Sequence, residues 1–123
     1  MMITVNELKQ FAFDRGADLV GVAPVDRFDA APVGHRPADI LPEAAIVVVC
    51  AMCIPGGVLE GPATAYHRAM EVIHIRLDQL AVDIALFLEK AGEQAIPVPS
   101  ASRFARLGPL VKPKWSIRHC AGG

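Results

Sequence analysis

Little in this sequence announces a reaction. Its 123 residues hold three Cys, one Trp and one Tyr, and aromatics make up 6%. Three cysteines cannot all pair with one another, which excludes a disulfide-stapled miniprotein. Nor can they supply the four thiolates of an iron–sulfur cluster. An excess of charge of one sign is missing too: the net charge is −1 at pH 7. No global field therefore draws the chain to nucleic acid or to a membrane surface. No apolar run reaches the roughly 18–20 residues of a membrane span; the longest, Ala44 to Pro55, has strand length or slightly more. The start, Met1-Met2-Ile3-Thr4, carries neither the basic residues nor the apolar stretch of a signal peptide. Read with free cysteines, these absences make the cytoplasm the expected location.

What the chain does have is apolar residues. They make up 53%, above the usual ~45–50%. The length suits one domain over residues 1–123 with a single core. The apolar excess implies more surface to bury than a small monomer offers, and so a protein partner or a missing remainder of the chain. Charge is unevenly placed: every Asp and Glu lies at or before Glu93, while the stretch after it carries Arg103, Arg106, Lys112, Lys114 and Arg118. Such a basic segment neutralises the acidic body or holds an anionic ligand.

Hydrophobic spacing sets the expected elements. Thr4 is a helix N-cap, with Glu7 three residues on in the capping-box position. Val5, Leu8, Phe11 and Ala12 follow at helical spacing, and Gly16 ends the helix. Asp18 to Pro24 reads as a short strand closed by proline. Residues 25–43 hold Pro32, Gly34, Pro37 and Pro42 and read as a long loop. Ala44 to Cys53 lacks polar alternation, the pattern of a strand covered on both faces. Ala63 to Ala91 is one long helix. Ile73, Leu77, Leu80, Ile84 and Leu88 form one apolar face. Val72, Ile75, Val82 and Leu86 add apolar surface elsewhere, so the helix is expected to be buried on more than one side. Ala95 to Val98 is a third, short strand at a sheet edge, because Pro97 and Pro99 interrupt it. A helix joining two strands implies a parallel, right-handed crossover. The expected fold class is therefore α/β, a short, mostly parallel sheet covered by helices, with α+β as the alternative. Residues 100–123 read as a basic irregular segment.

Candidate sites are few. Cys50-Ala51-Met52-Cys53 has redox-motif spacing, but it closes a strand instead of opening a helix, where a dipole lowers a thiol pKa. Core cysteines are the plainer reading. Cys50, Cys53, His119 and Cys120 are zinc-type ligands, although adjacent His119 and Cys120 make poor joint ligands. His67 and His74 share a helix face, and with Glu71 and Asp78 they make a narrow polar stripe along the long helix. Gly56-Gly57 and Gly61 sit between a strand and a helix without the spacing of a phosphate loop. Ser100, Ser102, Arg103 and His119 are the candidate cofactor-binding residues, with Arg suited to bidentate phosphate contact. No catalytic residue and no metal ligand set is assigned.

Several segments recur together in one known order: Gly16-Ala17-Asp18-Leu19-Val20-Gly21-Val22-Ala23-Pro24, Ile46-Val47-Val48-Val49, Tyr66-His67-Arg68, Leu77-Asp78-Gln79-Leu80-Ala81, and Leu88 to Gly92 followed by Ala95 to Pro99. In that order they resemble the N-terminal half of the epoxyqueuosine reductase-like proteins, iron–sulfur relatives that include the reductive dehalogenases. The resemblance implies a nitroreductase-like α/β module that holds cobalamin and an oxidoreductase lineage with a redox partner. Members place a catalytic acid just after the third strand. Here Val98-Pro99-Ser100-Ala101-Ser102-Arg103 has none, which argues against the tRNA-modifying reaction. Members also continue past the Arg118-His119 stretch to cluster cysteines, so the resemblance describes a truncated or degenerate member without an iron–sulfur cluster and without stand-alone catalysis. Two alternatives stand beside it. One is a small homodimeric interaction module paired through the long helix. The other is a flavin- or nucleotide-binding module that uses the basic C-terminal segment.

Overall fold

A computed structural model of the chain describes residues 3–100. The first helix, α1, runs Val5–Asp14. Its N-cap is the expected one: the Glu7 N–H donates to Thr4 Oγ1 at 3.1 Å. Its end is a glycine stop. Gly16 sits at φ +105°, and the N–H groups of Gly16 and Ala17 close back onto the carbonyls of Phe13 and Ala12. This crossed pair of bonds satisfies the last helical carbonyls and needs a residue without a Cβ at the turn.

Strand β1, Leu19–Pro24, follows at once. The chain then makes one 3-10 turn at Val25–Phe28 and a single helical turn, α2, at Pro37–Ile40, so the proline-rich stretch is not wholly irregular. Strand β2 covers Ile46–Ala51. A second 3-10 turn at Gly56–Leu59 leads to α3, Ala63–Lys90. At 28 residues, α3 is about 42 Å long. Gly92, at φ +90°, ends it in the same way as Gly16 ends α1: the Gly92 and Glu93 N–H groups return to the Glu89 and Leu88 carbonyls.

The sheet differs from expectation. Among the described residues it has two strands, and they are antiparallel, with Val20 opposite Cys50 and Val22 opposite Val48. The parallel arrangement required α3 to deliver the chain to a third strand at Ala95–Val98. That stretch is extended but forms no ladder. Pro97 and Pro99 have no N–H to donate. The fold is thus mixed α and β around a small antiparallel hairpin-like sheet.

Alternation along the ladder puts Val20, Val22, Val48 and Cys50 on one face. They pack against a core of Leu8 and Ala12 from α1, Ala17, Met52, and Ile73, Leu77, Leu80 and Ile84 from α3. On the other face Val47 and Val49 are only half buried and Leu19 is 55% exposed, so β2 is not enclosed on both sides as its composition suggested. Phe11 of α1 stacks on Phe87 of α3 with ring centroids 4.2 Å apart, a contact worth about 1 kcal/mol beyond its area. Arg15 reaches over the Phe11 ring and lies 3.7 Å from Asp83. That ion pair is half in water and adds little stability.

The second correction concerns α3. One face is buried, as its period demands, but the others are not. Val72 is 46% exposed, Ile75 56%, Val82 46% and Leu86 51%. No helix among the described residues is long and apolar enough to cross a membrane.

Candidate functional site

A groove of about 730 Å³ lies between β2 and α3. Its floor is apolar: Leu8, Val48, Cys50, Leu77, Ile84 and Leu88 face it. The extended stretch 92–98 forms one bank, and the chain around α2 forms the other. Glu43 and Glu93 are its charged lining residues. The groove exists because Ala95–Val98 runs alongside the sheet without joining it.

Cys50 sits in this wall because residue 50 falls on the inward face of β2. It is a free thiol, and burial pushes its pKa up from 9.0 to about 11. A redox or nucleophilic cysteine needs the opposite shift. Cys53 lies past the strand end, exposed, with its N–H donating to Asp18 Oδ2 at 2.7 Å. The C-x-x-C spacing thus puts one cysteine in the wall and the other at the surface. Two units fewer of acidity leave Cys50 about a hundredfold less thiolate than an ordinary thiol at neutral pH. Peptide-resolved iodoacetamide labelling should therefore find Cys50 slow at pH 7.5, fast once denaturant is added, and faster with rising pH. Because the folded state holds the thiol protonated, its contribution to stability is complete below pH 9. It is lost as pH climbs through about 11.

A polar cluster closes one end of the groove. Ser100 is 4% exposed. Its N–H donates to Asp78 Oδ1 at 2.7 Å, and its hydroxyl donates to the His74 carbonyl at 3.0 Å. His74 Nδ1 lies 3.2 Å from the same hydroxyl oxygen. With the hydroxyl proton on the carbonyl, Nδ1–H is the donor to Oγ. These are the residue types of a hydrolytic triad in a different arrangement. Asp78 holds the serine backbone instead of orienting the imidazole, and the imidazole does not take the hydroxyl proton. The cluster fastens residue 100 to α3. Sequence reasoning placed His74 and Asp78 on a polar stripe; their i, i+4 spacing was the available signal that they act together. Ser100→Ala keeps the backbone bond to Asp78 but removes the hydroxyl that links His74 Nδ1 and the His74 carbonyl, and it should cost about 1–3 kcal/mol, read as a lowered Tm. Asp78→Asn keeps an acceptor for the Ser100 N–H and should cost less.

Of the candidate cofactor-binding residues, Ser100 is turned inward and bonded to α3, while Ser102, Arg103 and His119 lie outside the described residues. So does Cys120 of the zinc-type set. Among the described residues no group of three or more His, Cys, Asp or Glu is placed to hold a metal ion. Cobalamin, flavins and nucleotides carry phosphate, and among the described residues the charged side chains lining this groove, Glu43 and Glu93, are both acidic. The glycine pair Gly56-Gly57 forms a 3-10 turn ahead of α3. His67 makes an edge contact with Tyr66. Comparisons with protein-family models, with curated proteins and with solved structures return no match for this chain.

Proposed function

We propose that this chain is an assembly module without catalysis of its own, a degenerate relative of the epoxyqueuosine reductase-like redox proteins that works by pairing with a second protein surface. The observation that carries the reading is the outer face of α3. Four large aliphatic side chains stand about half exposed along a helix whose opposite face is already in the core. Isolated apolar residues on a surface are ordinary, but a contiguous stripe is the mark of an interface. Three features support the non-catalytic half: burial raises the Cys50 pKa, Ser100 is bonded to α3, and among the described residues the charged lining of the groove is acidic. The nitroreductase-like kinship rests on the order of the sequence motifs.

The simplest partner is a second copy, because a two-fold pairing lets one stripe cover itself. Sedimentation equilibrium of the purified chain tests this. A monomer–dimer equilibrium at micromolar concentration is expected. A monomer that persists to about 100 µM overturns the reading, since that is well above the range of a stable complex. Stoichiometric iron or cobalt in the purified protein would overturn the non-catalytic half.

A further inference from the structure

The stripe on α3 has a register. Its exposed members and their in-line neighbours are Arg68, Val72, Ile75, Gln79, Val82, Leu86 and Glu89, alternating at intervals of four and three. This is the seam of a heptad repeat. At about 100° per residue it lies roughly opposite the buried row Ile73, Leu77, Leu80 and Ile84. Val72, Gln79 and Leu86 take one seam position and Ile75, Val82 and Glu89 the other. The residues that flank the seam are Glu71, Asp78 and Ala85 on one side and Arg76, Asp83 and Lys90 on the other.

These flanks distinguish the ways in which two copies of α3 can pair. A parallel pair brings Glu71 to Arg76 of the second copy. It also sets Asp78 against Asp83, Arg68 against Arg68 and Glu89 against Glu89. An antiparallel pair centred near Leu77 sets Arg76 against Arg76 and Asp78 against Asp78. An antiparallel pair centred between Leu80 and Ala81 has no such conflict. Val82 meets Gln79, Ile75 meets Leu86, and Arg76 of each copy meets Asp83 of the other. The Arg68 end of one helix then lies beside the Glu89–Glu93 end of its mate. Among the described residues Arg76 is exposed and makes no ion pair, its guanidinium lying beside Gly16, and Asp83 has only the loose 3.7 Å contact with Arg15. Both are thus available to a second copy. Gln79 at the middle of the seam is the kind of polar residue that fixes register.

We infer that two copies of this chain pair through an antiparallel α3–α3 seam whose two-fold axis passes between Leu80 and Ala81, locked by reciprocal Arg76–Asp83 ion pairs. This rests on the assembly reading above and adds the geometry to it. Like charges facing one another penalise the alternative registers, so charge selects among arrangements that bury similar apolar stripes.

Sedimentation equilibrium at low salt on four proteins tests it: wild type, Arg76→Glu, Asp83→Arg and the double variant. Circular dichroism confirms that each is folded; both positions are at least partly exposed, so folding should survive. Each single substitution should weaken the dimer about tenfold or more, and the double exchange should recover most of that loss. The sign for Asp83→Arg is decisive. In a parallel pair it removes the clash with Asp78 and tightens association. A tighter or unchanged Asp83→Arg dimer, or a double variant no better than the singles, overturns this seam while leaving assembly intact. A wild type that is monomeric throughout overturns both.

Discussion

Leu80→Asp unfolds the chain. Leu80 is 2% exposed at the centre of the buried face of α3, in one cluster with Leu8 and Ala12 of α1. Truncating such a side chain alone costs about 2–5 kcal/mol. A carboxylate left there without a partner adds several kcal/mol more, or stays protonated at a similar cost. A domain of this size has a total stability of about 5–15 kcal/mol. The thin core places this one toward the lower end: ten hydrophobic residues are buried among those described, and twelve large ones are exposed. The substitution therefore removes as much as the fold has. Loss of the helical circular dichroism signal at 25 °C is the expected result, and native-like ellipticity with a cooperative melt would show that Leu80 is not in the core. Leu80→Met, which conserves volume, should cost less than about 1.5 kcal/mol and serves as the control.

The elements were legible wherever local chemistry decides them. Thr4 with Glu7, Gly16 and Gly92 mark helix ends because caps are satisfied by neighbours in sequence, and both helices fall where these residues put them. Both strands lie inside the stretches that their β-branched runs mark out. The buried face of α3 also follows from spacing alone. Sheet direction was not legible. It depends on whether Ala95–Val98 pairs with β2, a matter of hydrogen bonds between residues far apart in sequence, and two prolines weigh against that pairing without deciding what replaces it. The covering of β2 failed for a related reason. A continuous valine run says that both faces favour an apolar neighbour, but not that this chain supplies one. The polar end of the groove was half legible. His74 and Asp78 were visible as a stripe, but their attachment to Ser100 required the chain to turn back after Gly92 and run along α3.

The outer stripe of α3 gives the opposite expectation from Leu80. Ile75→Asp combined with Leu86→Asp should leave the fold standing and abolish association. Ile75 is 56% exposed and Leu86 51%, so neither aspartate meets a dry interior within the protomer. Helix propensity falls by only a few tenths of a kcal/mol at each site. Across a paired seam the two positions would face each other, and the double variant would bury carboxylates where aliphatic side chains met. Central interface positions of this kind are worth about 2 kcal/mol or more apiece, which for two of them exceeds a hundredfold in dissociation constant. The paired readout separates the two faces of one helix: unchanged ellipticity with a monomeric sedimentation profile for the outer pair, lost ellipticity for Leu80. Should the outer double variant unfold as readily as Leu80→Asp, the stripe belongs to the protomer's own core and does not serve a partner. Should it fold and still dimerise, the contact between copies lies on another surface, such as the apolar groove beside β2.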